Sequence, residues 1–131
     1  MDDPLKNVHT IRIHAAWERI EIDAGMAASP AKKVSLPDEV PIAATTVFVV
    51  YTRRFNRPSG LGVEHRVELE CSLRIAANAA SLNGHPIVVG DESAFDITTL
   101  LLPHNELTFT VPAPLIADAS SGTARLVITA S

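Results

Sequence analysis

Apolar and polar residues alternate along most of this chain, a pattern that predicts β-strands. The clearest example is RVELECSLRI at 66–75, in which apolar side chains occupy every second position and mainly charged ones lie between them. LTFTV at 107–111 and ARLVITA at 124–130 alternate in the same way. TTVFVVYTRRF at 45–55 is apolar on both faces at its start, as a central strand is. The sequence therefore predicts an all-β protein.

The segment IRIHAAWERIEI at 11–22 alternates too, but its phase changes part-way. One face carries four apolar residues, Ile11, Ile13, Ala15 and Trp17. Ile20 and Ile22 then continue the apolar pattern on positions of the other parity. A phase change of this kind is typical of a bulge or bend, so we expect one strand that bends within 11–22.

Turn residues separate the periodic segments, giving about seven or eight strands, which is typical of an antiparallel β-sandwich. Asn83-Gly84 supplies two residues that tolerate positive φ, as a type I′ hairpin turn requires. A short helical turn is expected at TTLLLP, with Asp96 or Thr98 accepting hydrogen bonds from its first N–H groups. We expect a single domain over 1–131, in which residues 1–10 are a flexible or peripheral lead-in.

Composition supports one globular domain, because 47% of the residues are hydrophobic and 20% are charged. The net charge of −4 argues against a nucleic-acid partner, and no apolar run is long enough to span a membrane. Cys71 is the single cysteine, so no intramolecular disulfide can form, and a buried, inert thiol is expected. The first ten residues lack the features of a signal peptide, which predicts a cytoplasmic location, although secretion stays open if a leader has been removed.

The order of the segments carries a resemblance to a known family. A strand with Trp17 is followed by VSLP, YTRRFNRP, RVELECSL, SLNGHPI, AFDITTLL and NELTFTV. This succession resembles the sugar-binding domain of glycoside hydrolase family 2, the N-terminal jelly roll of β-galactosidases, β-glucuronidases and β-mannosidases. The resemblance covers most of the chain and implies a galactose-binding-like, jelly-roll sandwich.

In that family the sandwich is an accessory, and two glutamates on a later (β/α)₈ barrel perform catalysis. A barrel of that kind does not fit into 131 residues. The resemblance therefore implies a non-catalytic binding module, not an enzyme, whose ligand is a mono- or oligosaccharide. The region 112–130 lacks the Trp and the Gly-Gly pair typical of the family. This departure favours an alternative, a protein-interaction or assembly domain that binds a partner or a second copy of itself.

Ionisable residues give few signs of catalysis or metal binding. No G-x-S-x-G elbow occurs, and the histidines show neither H-x-H nor H-x-x-x-H spacing. Asp91-Glu92 is an acidic pair in a loop, and a structural Ca²⁺ there stays open, although no further acids bracket the pair. We therefore predict no cofactor and no metal.

The aromatic residues are expected in the core, which argues against a flat sugar-binding platform. Phe48, on the opposite face of its strand, is expected to be buried between neighbours, and Arg53 is expected to bond loop carbonyls as a structural residue. Asn105 is expected to start the next strand through an Asx-type turn. A binding site is then left to the loop ends, where the candidate ligand-binding residues are Arg54, Arg57, His85 and Asp91.

Overall fold

Antiparallel strands make up most of the described structure, a computed structural model that describes residues 8–36, 38, 41–71, 80–87, 94–113 and 124–130. In chain order the strands are β1 (Val8–Arg12), β2 (Trp17–Asp23), β3 (Lys32–Val34), β4 (Thr46–Asn56), β5 (His65–Cys71), β6 (Ala80–Leu82), β7 (His85–Ile87), β8 (Ala94–Asp96), β9 (His104–Pro112) and β10 (Ala124–Ala130). A 3₁₀ turn over Thr98–Leu100 follows β8. No helix in these ranges is long and apolar enough to cross a membrane.

The strands form two sheets that pack face to face. One sheet has four strands in the order β1-β10-β5-β8, and the other has six in the order β3-β2-β4-β9-β6-β7. Many neighbours within a sheet are distant in sequence, as the crossing connections of a jelly roll require. The predicted all-β, antiparallel sandwich of jelly-roll type is confirmed.

The core lies between the sheets and is built from the inward positions of the alternating strands. In the six-stranded sheet, the ring of Trp17 stacks on that of Phe109, with centroids 5.6 Å apart and planes 21° from parallel. In the four-stranded sheet, Val67 and Leu69 of β5 are buried beside Leu126 of β10. These side chains occupy the inward positions that alternation predicted, apart from Cys71, whose side chain lies outside the described residues.

The prediction of one bent strand over 11–22 is wrong. The chain instead passes from β1, in the four-stranded sheet, to β2, in the six-stranded sheet, through Ala16 at a φ of 63°. Within β2 the core-facing residues are Trp17 and Arg19, while Ile20 lies on the outer face of the sheet. The phase change thus marks a change of sheet rather than a bulge. Ile11 shares its face with the buried Ile13, as alternation predicts, but it is 39% exposed on the edge strand.

The expected burial of Phe48 is also wrong, since 37% of its surface is exposed. Alternation along β4 places Val49 and Tyr51 on the core side, and both are fully buried. Phe48 therefore lies on the outer face, opposite Ile22 of β2 and Pro112 of β9. A central position within a sheet pairs the backbone on both sides, but it does not cover both faces of the strand.

The turn predictions are confirmed. Asn83 and Gly84 have φ values of 53° and 81° and connect β6 to β7 as a two-residue hairpin. After β8, the Asp96 carboxylate accepts hydrogen bonds from the backbone N–H of Thr98 at 2.9 Å and from its hydroxyl at 2.6 Å. The same two bonds hold the pKa of Asp96 below its usual value. Ile97 fills the end of the sandwich, where it is fully buried.

A buried polar cluster ties the segment after β3 to the six-stranded sheet. Arg19 Nη1 donates to Asp38 Oδ2 at 2.7 Å, and the hydroxyl of Tyr51 donates to the same oxygen at 2.7 Å. Arg19 Nη2 also donates to the carbonyl of Pro41 at 3.1 Å. Burial and the bond to Asp38 raise the pKa of Tyr51 well above its ordinary value, so the phenol stays protonated and donates. The cluster is structural, because water does not reach its side chains.

Candidate functional site

A cleft of about 750 Å³ lies at the end of the six-stranded sheet, where β4 and β9 run on together. The last residue pair between β2 and β4 is Glu18 with Thr52, whereas β4 and β9 stay paired as far as Asn56 with His104. Among the described residues, no strand pairs with the other flank of β4 beyond Thr52, so that flank is free of them. The residues that line the cleft are Arg53, Arg54, Phe55, Asn56, Asn83, His104, Asn105 and Glu106.

Alternation along β4 divides the cleft residues between the two faces of the sheet. Arg53 and Phe55 follow Tyr51 on the core side, and both are half-buried. Arg54 and Asn56 lie on the outer face, opposite Glu106 and His104 of β9. Adjacent arginines in one strand must point to opposite faces, so the cleft takes one guanidinium from each side.

Arg54, a predicted ligand residue, lies between two carboxylates. Its Nε is 3.3 Å from Glu106 Oε2, and its Nη1 is 3.5 Å from Glu18 Oε1. All three side chains are partly or largely exposed, with 67% of the Arg54 side chain open to solvent. Arg54 thus lies near the rim of the cleft, and its charge is offset by the carboxylates of Glu18 in β2 and Glu106 in β9.

Two asparagines form the floor of the cleft, and their amides are used within the fold. Asn105 is 3% exposed and donates to the carbonyls of Phe55 and Leu102, at 3.3 and 2.8 Å. Its Oδ1 accepts from the N–H of Leu102 at 2.8 Å and from Asn83 Nδ2 at 2.9 Å. The expected Asx-type turn thus reaches back to Leu102 instead of forward. Asn83 in turn donates to the carbonyl of Leu100 and accepts from the N–H of Glu106.

Replacing Asn105 with alanine should lower the free energy of unfolding by about 2–3 kcal/mol, because several buried backbone and amide groups lose their partners. Urea unfolding followed by circular dichroism measures the loss. Asn56→Ala, on the strand paired with β9, is the matched control: Asn56 is exposed, and among the described residues its Oδ1 forms a hydrogen bond with His104 Nδ1, at 2.9 Å. We expect a change below about 0.5 kcal/mol for the control. Equal losses would mean that Asn105 does not hold the floor.

Arg53 differs from the asparagines, because its hydrogen-bonding capacity is not used up. Its Nη1 donates to the backbone carbonyl of Arg54, on the free flank of β4. Its Nε is buried and has no hydrogen-bond partner among the described residues. No carboxylate in those ranges forms an ion pair with it either. A buried donor without a partner costs free energy. The expectation that Arg53 bonds loop carbonyls is wrong for this contact, because the acceptor is the carbonyl of its own neighbour in β4.

Of the three predicted ligand residues that the structure describes, one lies at this cleft. Arg54 lines it, whereas Arg57 and His85 do not. Arg57 is exposed beyond the end of β4, where its N–H donates to the carbonyl of Pro103 at 3.0 Å. His85 is exposed on the edge strand β7, and Asp91 lies outside the described residues. The cleft instead adds residues that sequence reasoning did not select, among them Arg53 and His104.

A second depression, of about 190 Å³, lies near the other end of β4. Its central carboxylate is Glu21, which accepts from the N–H of Ala43 and the hydroxyl of Thr46, each at 2.8 Å. Burial works to raise the pKa of Glu21, but these bonds outweigh it and hold the pKa below its ordinary value. Its other oxygen is 3.6 Å from Arg19. Because the carboxylate already has partners, this depression offers less to a ligand than the cleft at Arg53.

Metal binding finds no support in the ranges described. No group of three His, Cys, Asp or Glu side chains is placed there to hold an ion. The Asp91-Glu92 pair, at which calcium stays open, lies outside those ranges.

Several solved structures to which this chain is similar are glycosidases. A β-glucuronidase of Bifidobacterium dentium, solved with coumarin-3-O-glucuronide, matches 100% of this chain with a TM-score of 0.69 at 18% identity. The predicted fold resemblance is confirmed. A β-glucuronidase of Faecalibacterium prausnitzii matches 99% of the chain, with a TM-score of 0.67 at 15% identity. A glycosyl hydrolase family 2 member of Bacteroides cellulosilyticus matches 92%, with a TM-score of 0.61 at 18% identity.

The match is confined to a small part of those enzymes. This chain spans 31%, 33% and 21% of their respective lengths. No family model matches the sequence, and no curated protein matches it. The likeness therefore shows a shared sandwich fold, of the kind that an accessory domain of such enzymes has.

Proposed function

We propose that this chain is a non-catalytic accessory domain that binds a carbohydrate in the cleft at Arg53. The observation that carries the proposal is an arginine with an unused donor beside a half-buried aromatic ring on the same face of β4. Arg53 Nε has no partner in the described structure, and Phe55 lies two residues further along that face, while Asn56 and His104 line the cleft from the outer face. Sugars are bound by fixed polar groups for their hydroxyls and an aromatic ring for their C–H faces.

Catalysis of glycoside hydrolysis has little support in this cleft. Such catalysis needs two carboxyl groups about 5–10 Å apart on either side of the scissile bond. Among the described residues that line the cleft, Glu106 alone supplies a carboxylate, and it is paired with Arg54. A binding role needs only the donors that are present.

The proposal predicts that a sugar stabilises the protein through Arg53. A panel of neutral and acidic mono- and oligosaccharides is screened by thermal shift, and the binders are measured by calorimetry. A ligand present at about 100 times its Kd adds about 2.7 kcal/mol to the free energy of unfolding. Arg53→Met keeps the length of the side chain but removes the guanidinium. We expect binding to weaken about 10- to 100-fold, the usual value of a hydrogen bond from a charged donor.

The matched control is Arg57→Met, which removes a nearby exposed arginine that does not line the cleft. It should leave the affinity unchanged. If Arg57→Met weakens binding and Arg53→Met does not, the ligand occupies the loop end and not the cleft. If no sugar in the panel gives a shift, carbohydrate binding is contradicted.

A further inference from the structure

All five residues of the edge strand β1 are exposed, so both faces of the strand are open to solvent. One edge of β1 pairs with β10, and no strand of the described structure pairs with the other edge, which is an open side of the four-stranded sheet there. Ile11 lies on the core side, opposite the buried Leu126, yet remains 39% exposed. Val8, on the other side, is 42% exposed. A strand uncovered on two faces and one edge is a template for pairing with another strand.

The hydrogen bonds to β10 determine which backbone groups point to the open edge. Ile13 N–H donates to the carbonyl of Ala124 at 3.2 Å, one step beyond the pair Arg12 with Arg125. In an antiparallel ladder, bonded pairs recur at every second residue, so Ile11 and His9 also bond to β10. The N–H and C=O groups of the alternate residues, Val8, Thr10 and Arg12, therefore face outward.

The other described sheet edges are protected, whereas β1 is not. The edge strands β3, β7 and β8 have three residues each, against five in β1. Two lysines, Lys32 and Lys33, lie on β3, and Pro86 interrupts β7. Short length, lysine and proline are the usual means of preventing edge pairing. β1 contains neither lysine nor proline.

We propose that β1 pairs with β1 of a second copy of this chain, antiparallel and with Thr10 opposite Thr10 on the two-fold axis. In this register, Val8 of each copy faces Arg12 of the other, so all the outward N–H and C=O groups find partners in about six backbone hydrogen bonds. The four-stranded sheets of the two copies then form one continuous sheet across the axis. A shift that places Ile11 or His9 on the axis would leave one outward residue of each copy without a partner.

Side chains favour this register as well, because no like charges lie opposite each other. Arg12 meets Val8, and His9 meets Ile11. The second pair brings the exposed Ile11 of each copy against the His9 ring of the other, which covers apolar surface that sheet packing leaves open. A self-complementary strand of this kind fits an isologous dimer. The same observation favours assembly as a second role for the domain, independent of sugar binding.

The test is the oligomeric state of the full chain and its variants, measured by sedimentation equilibrium. We expect a mass about twice 14.0 kDa at high concentration. Thr10→Pro removes an outward N–H that β10 does not use, so the variant should fold but sediment as a monomer. Thr10→Lys keeps the N–H but places two lysines on the axis, and it should dissociate too. Thr10→Val is the control and should remain a dimer.

Hydrogen exchange separates β1 pairing from other contacts. In the wild type, the amides of Val8, Thr10 and Arg12 should exchange about tenfold more slowly as the concentration rises, while those of His9 and Ile11 should not change. A wild-type monomer at all concentrations would overturn the proposal. A dimer of the Thr10→Pro variant would overturn it as well. If adding Phe48→Glu to that variant then abolished the dimer, the interface would be assigned to the outer face of the six-stranded sheet.

Discussion

Asp38→Ala should lower the free energy of unfolding by about 3–5 kcal/mol, because it removes the carboxylate that is hydrogen-bonded to the buried guanidinium of Arg19. Asp38 Oδ2 accepts hydrogen bonds from Arg19 and from Tyr51, both at 2.7 Å. The side chains of Arg19 and Asp38 are both fully shielded from solvent. The variant would therefore leave a guanidinium and a phenol in the core without this acceptor, and would loosen the segment after β3.

Urea unfolding at neutral pH, monitored by circular dichroism, measures this loss of unfolding free energy. The same measurement on a variant of an exposed ion pair is the control. Arg125→Ala breaks the pair between Arg125 and Glu70, which has nearly the same N–O distance, 2.8 Å, but is largely exposed. We expect the control to lose less than about 1 kcal/mol. The two pairs differ in burial and in the hydrogen bond from Tyr51 to Asp38, so similar losses from the two variants would refute a buried cluster around Asp38.

Alternation made the sheet faces predictable, but it did not identify the buried arginine. Leu107, Phe109 and Val111 are buried as their spacing predicts, because one face of β9 meets the core along its whole length. Arg19 and Arg53 both occupy core-side positions in apolar strands, and the sequence alone gives no reason to prefer either. Arg19 becomes fully buried because its partner Asp38, 19 residues away, folds back over it. That path depends on tertiary packing, which local pattern does not determine.

The cleft was missed for a related reason. Its residues come from β4 and β9, and the contact between Asn56 and His104 joins positions 48 residues apart. Which residues of two distant strands lie opposite each other depends on the register, and periodicity gives only the parity of each strand. Arg57 and His85 were predicted from their positions at loop ends, which carry no information on this pairing. By contrast, the hairpin at Asn83-Gly84 was predictable, because the two residues with positive φ are adjacent in the chain.

Trp17→Ala should cost about 3–5 kcal/mol, as expected for deletion of a large aromatic side chain from a well-packed core. Trp17 is 0% exposed and stacks on Phe109 across the sheet. Its Nε1–H donates to the carbonyl of Ile13 at 2.5 Å, at the point where the chain passes from one sheet to the other. The substitution therefore opens a cavity and also releases the connection between the sheets.

Two further variants separate these effects. Trp17→Phe keeps a ring against Phe109 but removes the indole donor, and it should cost about 1–3 kcal/mol for the unpaired carbonyl and the lost volume. Phe48→Ala is the matched control, because it deletes an aromatic side chain from the outer face of the same sheet, where 37% of the residue is exposed. We expect a loss of about 1 kcal/mol or less from it. All variants are compared by urea unfolding monitored by circular dichroism, since Trp17 is the single tryptophan and its own variants lose the fluorescence signal. If Phe48→Ala cost as much as Trp17→Ala, the two faces of the six-stranded sheet would be equally buried, and the outer face would have to be covered in solution by another surface.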